Sequence, residues 1–284
     1  MMRITTKGGR PFCEAELGGV GVYLDNFALI HLAKGPTSRR QRFVDALRAG
    51  GTLLFSWTNA IEVAGPQGAS ANDVRAFLDS IGPHWVPVEM NVWAVAQREK
   101  AGLLKKSPLS ESFVNAYFKD RIHDLSPGAS TVVDLSAPSF FRLGAVVDWV
   151  HGKREDARRS GPEMDQALRE KMDRLDAECA KGPKSLDSVL PPIPFDEKWP
   201  ATYVLIHLQR MLWMEKKAYQ LKANDGLDFC HAAVGAAYGS LAALDKQWKR
   251  RIESLPAANR LAKVFYRREL DQLVNLLEYL VNSK

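Results

Sequence analysis

Short apolar runs alternate with amphipathic segments up to residue 90. Continuous apolar and β-branched runs predict buried strands, while apolar positions three or four residues apart predict helices. Strands are therefore predicted in VGVYL, GTLLFS and HWVPVEM, and helices in FALIHLAK, RRQRFVDALRAG, WTNAIEVAG and NDVRAFLDSIG. This alternation favours a parallel or mostly parallel sheet with helices on its faces.

Residues 91–222 break the alternation. Their spacing is mainly helical, in NVWAVAQREKAGLL, SESFVNAYFKDRI, PSFFRLGAVVDWVHGKREDARR, EMDQALREKMDRLDAECAK and ATYVLIHLQRMLWMEKKAYQL. The proline-rich SVLPPIPFDEKWP predicts a linker or crossing loop. Alternation then returns with helix GLDFCHAAVGAAY, strand SLAAL, helix DKQWKRRIESL, a strand around AKVFY and helix RELDQLVNLLEYLV. We expect an α/β core built from residues 1–90 and 223–284, interrupted by a helical insertion and linker over 91–222.

Composition narrows the class of protein. A net charge of +6 and a pI near 9.2 favour a polyanionic partner. Cys13, Cys179 and Cys230 are scattered, which argues against a disulfide framework or zinc site and fits a reducing compartment. The first residues lack a signal-peptide core, and TYVLIHLQRMLWM is too short to span a bilayer. We therefore expect a cytoplasmic protein without membrane contact.

Four acidic residues stand beside apolar runs at widely separated points: Asp25, Glu62, Asp228 and Asp245. A carboxylate beside a hydrophobic strand or on an apolar helix is costly if it is left dry and unpaired. Asp25 and Asp245 follow predicted strands, Glu62 lies early in the helix after GTLLFS, and Asp228 begins the helix that leads into SLAAL. Ligands of open α/β sheets bind at the carboxyl ends of the strands. The four acids can therefore converge on a divalent ion such as Mg²⁺ or Mn²⁺.

The ordered segments VYLDNFALIHLA, SWTNAIEVA, DGLDFCHAA and LAALDKQW resemble those of PIN-domain nucleases, a family of metal-dependent ribonucleases. The likeness covers residues 20–90 and 222–282. It implies a three-layer α/β/α fold with Asp25, Glu62 and Asp228 as direct metal ligands. Asp245 would complete the catalytic set or orient the attacking water. Asn26-Phe27 after the first acid and the insertion both depart from the family pattern.

Each acid also has a simpler interpretation. Asp25 and Asp245 are suited to cap the helices that follow them, and Glu62 could pair with an arginine. We assign Asp225 to the cap of the later helix, with an outer metal-ligand role left open. His231 is interpreted as a packed histidine, since the sequence lacks the His/Cys spacing of a zinc site.

A basic segment follows Asp245 directly. Its first cations, Lys246, Lys249, Arg250 and Arg251, are predicted to hold nucleic-acid phosphates. A solvated helix face is the usual meaning of such a run.

The favoured function is thus a Mg²⁺- or Mn²⁺-dependent endonuclease acting on RNA in preference to DNA. Two alternatives stay open: a non-catalytic PIN-like scaffold for nucleic acid or protein, and a toxin or defence ribonuclease restrained by a partner. A protein partner bound through the insertion and a homodimer are further open expectations.

Overall fold

A central parallel sheet organises the chain. The computed structural model describes residues 2–7, 10–15, 19–64, 70–103, 109, 110, 113, 117, 142–181, 185–216 and 218–283. Its strands are β1 Met2–Lys7, β2 Arg10–Ala15, β3 Val20–Leu24, β4 Gly51–Ser56, β5 Trp85–Val88, β6 Leu241–Ala243 and β7 Lys263–Phe265. Strands β3 to β7 form one all-parallel sheet in the order β5-β4-β3-β6-β7. All five of these strands were predicted from the sequence, and each is confirmed.

Helices follow the predicted alternation over most of the described chain. They are α1 Asn26–Ala33, α2 Thr37–Arg48, α3 Trp57–Ala64, α4 Ser70–Ile81, α5 Val92–Lys100, α6 Leu143–Gly152, α7 Arg154–Ala180, α8 Leu186–Val189, α9 Pro200–Glu215, α10 Asp225–Tyr238, α11 Lys246–Glu253 and α12 Leu270–Asn282. No helix among the described residues is both long and apolar enough to cross a bilayer.

The helices cover both faces of the sheet and give a three-layer α/β arrangement. Alternate residues of a strand point to opposite faces, and here Leu53 and Phe55 lie in one core while Leu54 lies in the other. The first core holds residues of α1, α2, α3, α4, α6 and α12. The second holds residues of α5, α7, α9, α10 and α11. Helices from 91–222 therefore contribute to both outer layers.

Two elements differ from the sequence prediction. The antiparallel pair β1–β2 was not predicted. The segments REDARR and EMDQALREKMDRLDAECAK form one continuous helix, α7, which contains Pro162, and the chain breaks instead at Lys153. Gly161 precedes this proline and has no Cβ to clash with its ring, which removes part of the usual restriction. The helix predicted in SESFVNAYFKDRI lies almost entirely outside the described residues.

The carboxylates of Glu99, which is buried, and Asp165, which is partly buried, connect helices of the 91–222 segment to α10. Glu99 accepts hydrogen bonds from the backbone N–H groups of Ala201 (2.8 Å) and Thr202 (2.7 Å) and from the Tyr238 hydroxyl (2.6 Å). Asp165 of α7 accepts from the N–H groups of Asn224 (2.7 Å) and Gly226 (2.8 Å). Acids at helix N-termini satisfy N–H groups that have no partner within the helix. These contacts fix the position from which α10 enters the sheet edge.

Gly226→Ala should destabilise the protein through the α7–α10 contact. A Cβ at this position would lie 2.3 Å from the carbonyl oxygen of Met164, a backbone atom that cannot rotate away. We expect a loss of about 1–3 kcal/mol in the free energy of unfolding, measured by denaturant titration. Gly152→Ala is the matched control, because nothing lies within 4 Å of its added Cβ. An equal effect of both substitutions would contradict the close approach at Gly226.

Candidate metal centre at the carboxyl edge of the sheet

Asp25 lies at the carboxyl end of the central strand β3 and caps α1. Its backbone N–H donates to the carbonyl of Ala243 at 3.0 Å, and its Oδ1 accepts from Asn26 N at 2.7 Å. Burial raises the pKa of this carboxyl to about 6, against the lowering effect of the Asn26 hydrogen bond, and the charge of Asp245 adds to the rise. The cap and the acidic role predicted for Asp25 are compatible, because the cap uses one carboxylate oxygen.

Glu62 reaches the same place from α3, the helix after the neighbouring strand β4. Its side chain is largely buried, and burial raises its pKa well above the usual value. The charges of Asp25 and Asp228 raise it further. The pairing with an arginine that the sequence left open stays a prediction.

Asp228 projects from the first turn of α10. The pKa of its carboxyl is raised to about 7, and burial is the largest cause. The negative charges of neighbouring acids also raise it; in decreasing order of effect these are Asp25, Asp245, Asp225 and Asp165. Asp25, Glu62 and Asp228 therefore share one electrostatic field, although Asp25 comes from the end of β3, Glu62 from α3 and Asp228 from α10.

Asp245 follows β6 and caps α11. Its Oδ1 accepts from the N–H groups of Gln247 at 2.8 Å and Trp248 at 2.9 Å. The cap that the sequence suggested is thus present, and the charge of Asp245 still reaches Asp25 and Asp228. We call Asp25, Glu62 and Asp228 the acidic group, and Asp245 lies at its rim.

Asp225 does not cap α10, which corrects the sequence assignment. It is the first residue of the helix, and Asn224 occupies the capping position in a left-handed conformation. The Asp225 carboxylate instead accepts from the Tyr219 hydroxyl at 2.7 Å and from the backbone N–H of Lys222. Both of its oxygens serve the loop before α10, so nothing in this geometry favours an outer metal-ligand role.

His231 is buried and hydrogen-bonded, as the sequence interpretation expected, but it also lies beside Asp25 and Glu62, which was not expected. Within the described chain, Asp25, Glu62 and His231 form a group whose potential ligand atoms all lie within 4.8 Å of one another. The Nε2 atom of His231 is 3.7 Å from Oε2 of Glu62, and its Nδ1 is hydrogen-bonded to the Tyr23 hydroxyl. We call these three residues the Asp-Glu-His triad. A histidine three residues after a candidate acid, on one helix face, was the available signal.

Small residues and amides support this edge. Gly235 lets α10 approach β3 closely, because a Cβ there would lie 2.5 Å from the Tyr23 ring. Asn59 joins two strand ends: its side chain donates to the carbonyl of Leu24 at 3.2 Å and accepts from Ser56 N at 3.0 Å. These positions were not singled out from the sequence, since each contact joins residues that are far apart along the chain or follows from the exact turn at Ser56.

The four predicted phosphate-binding cations fall into two pairs. Arg251 is buried, forms an ion pair with Glu215 at 2.7 Å and lies over the rings of Tyr219 and Trp248. Lys249 pairs with Glu269 at 2.7 Å and Glu253 at 3.3 Å. Both form ion pairs within the protein, and their role in phosphate binding stays a prediction. Lys246 and Arg250 are exposed on α11, the helix that Asp245 caps.

No protein-family model matches the chain, and no curated protein or solved structure matches it. The likeness to PIN-domain nucleases therefore rests on the four acidic segments of the sequence itself. A three-layer α/β fold hosts many chemistries, so the function must be argued from the site.

In the metal-free protein the acidic group should make stability fall as pH rises. The pKa values of Asp25 and Asp228, about 6 and about 7, exceed their usual 3.8. At pH values between 3.8 and about 7, these two carboxyl groups therefore hold more protons in the folded state than in the unfolded state. The contribution of these two acids to stability should be greatest below about pH 4 and decline through pH 6 to 7, with each pKa unit worth about 1.4 kcal/mol.

Asp228→Asn should flatten this decline when unfolding free energies are measured in EDTA across the pH range. Asp173→Asn is the control, because Asp173 is exposed and lies eight residues beyond Asp165 on α7, about 12 Å along the axis. A pH slope that is the same in wild type and Asp228→Asn would contradict the electrostatic coupling.

Proposed function

We propose that the protein is a divalent-metal-dependent nuclease that hydrolyses phosphodiester bonds, with RNA as the preferred substrate. The observation that carries the proposal is the gathering of acids at one sheet edge: Asp25 and Glu62 offer ligand atoms within 4.8 Å of each other, and the charges of Asp25 and Asp228 raise the pKa of Glu62. Carboxylates that repel one another at close range are suited to bind a divalent ion.

The donor set fits such an ion. Asp25 and Glu62 would hold it, and oxygen donors of this kind suit Mg²⁺ and Mn²⁺. A bound ion would supply charge stabilisation at the phosphoryl group and make a bound water more acidic. Asp228 does not belong to the triad but shares its field. With a pKa near 7 in the metal-free protein, its carboxylate is placed to accept the proton of an attacking water.

The substrate class follows from two further features. Lys246 and Arg250 are exposed on α11, the helix that Asp245 caps at the rim of the acidic group. Cations beside an acidic metal centre attract a phosphate backbone towards it. The choice of RNA over DNA comes from the resemblance of the four acidic segments to ribonucleases of the PIN type.

Cleavage should require both the ion and the acids. Purified protein should cut single-stranded RNA with Mn²⁺ or Mg²⁺ and stop in EDTA, and Asp25→Asn or Asp228→Asn should lower the rate at least about 100-fold. Asn retains the helix cap of Asp25, so a folding defect is not expected. Asp173→Asn should cleave like wild type. RNA cleavage that survives in Asp25→Asn/Asp228→Asn, or its absence from wild type with every metal, would refute the nuclease. A matched DNA substrate tests the preference for RNA.

The exposed cations should set RNA affinity. Lys246→Ala and Arg250→Ala should each weaken binding and reduce the slope of log affinity against log salt by about 0.7 for a single strand, as expected when one phosphate contact is lost. Filter binding or anisotropy in EDTA, at several salt concentrations, separates this effect from catalysis. Arg174→Ala, an exposed cation on α7, is the control. An equal loss of RNA affinity in Arg174→Ala would contradict RNA binding at the exposed cations of α11.

A further inference from the structure

The imidazole of His231 has one bonded and one unbonded nitrogen. Its side chain is 1% exposed, so water does not reach it. Nδ1 is hydrogen-bonded to the Tyr23 hydroxyl, whereas Nε2 has no hydrogen-bond partner. A buried polar nitrogen left without a partner costs about 1–3 kcal/mol. The orphaned nitrogen therefore requires an explanation.

An ion pair with Glu62 does not supply one. The separation of 3.7 Å between Nε2 and Oε2 is too long for a hydrogen bond. Burial lowers the pKa of His231 to about 3, so the ring is neutral. Nε2 lies 3.7 Å from Oε2 of Glu62, and His231, Glu62 and Asp25 each offer a ligand atom within 4.8 Å of the other two.

The spacing of the Asp-Glu-His triad suits one shared ion. Metal–ligand bonds of about 2.1 Å place two ligands of one ion at most about 4.2 Å apart. The 3.7 Å separation of Nε2 and Oε2 falls within this limit. The largest separation in the triad is within 4.8 Å, so closure requires side-chain shifts of only a few tenths of an ångström.

We propose that Nε2 of His231 is a direct ligand in a mixed nitrogen–oxygen site with Asp25 and Glu62, and that this site binds a transition-metal ion such as Mn²⁺ in preference to Mg²⁺. The inference refines the proposed nuclease site and rests on it for its biological use. Imidazole nitrogen is a better donor for transition ions than for Mg²⁺, which prefers an all-oxygen shell.

Tyr23 is the positioning residue for this ligand. Metal binding at Nε2 requires the tautomer whose Nδ1–H donates to the Tyr23 oxygen, because that tautomer leaves the Nε2 lone pair free. The amide nitrogen of Asn59 lies 3.5 Å from the same Tyr23 oxygen. The bond to the hydroxyl holds the angle of the ring.

The test uses the full chain after EDTA treatment, with Mn²⁺ and Mg²⁺ as probes. Calorimetric titration should show tighter binding of Mn²⁺ than of Mg²⁺. His231→Gln should weaken Mn²⁺ binding at least about tenfold and Mg²⁺ binding much less. Tyr23→Phe should weaken Mn²⁺ binding by a smaller factor. His207→Gln is the control, because the Nε2 of His207 is bonded to the carbonyl of Ile193 at 3.0 Å.

A second measurement does not depend on variants that might fail to fold. Pulsed electron paramagnetic resonance of Mn²⁺-loaded wild-type protein should show modulation from one directly bound ¹⁴N nucleus, replaced by a ¹⁵N pattern after histidine labelling. Mn²⁺ bound without nitrogen coupling, absence of Mn²⁺ binding, or equal Mn²⁺ affinity in His231→Gln would each overturn the inference. RNA cleavage without nitrogen coupling would support the proposed nuclease activity but exclude His231 as a metal ligand. Nitrogen coupling without RNA cleavage would support His231 as a metal ligand but contradict the proposed nuclease activity.

Discussion

Parallel pairing of β3 with β4 on one side and with β6 on the other brings the ends of three strands together at the candidate centre. Parallel strands end at the same edge of a sheet, so the residues after β3, β4 and β6 become neighbours although they are far apart in sequence. The edge receives Asp25 from β3, Glu62 from the helix after β4 and Asp245 from the turn after β6. Asp228 arrives separately, on the helix that precedes β6. The repulsion among these acids is thus a consequence of topology.

The sequence predicts this edge well because its signals are local. Each strand is a short apolar run buried on both faces, and each acid stands next to such a run. The triad was only partly predictable, since the bond between Tyr23 and His231 joins residues 208 positions apart. Periodicity says which face of α10 carries His231 but not which strand residue meets it. Arg251 shows the same limit, because its partner Glu215 lies on another helix.

The 91–222 segment has a structural part in the centre. Asp165 of α7 bonds the N–H groups at the start of α10, and its charge contributes to the raised pKa of Asp228. Glu99 of α5 ties α9 to the far end of α10 through Tyr238. Helix α10 is therefore held at both ends by helices of this segment, which fixes the depth at which Asp228 and His231 meet the sheet edge. The sequence could not reveal this, because a helical insertion is equally consistent with a separate arm.

The polar atoms of Tyr23 and His231 are best explained by the centre rather than by packing. A phenylalanine at position 23 would fill the same space against Gly235, and an apolar residue at 231 would avoid an orphaned nitrogen. Buried polar pairs of this kind are costly when one atom is left unsatisfied. The carboxylates nearby add a second cost, since burial and mutual charge oppose their ionisation. One cation at the triad would offset both costs at once, by accepting the nitrogen lone pair and by neutralising the acids. If these residues had a purely structural role, both the unsatisfied nitrogen of His231 and the repulsion among the acids would remain.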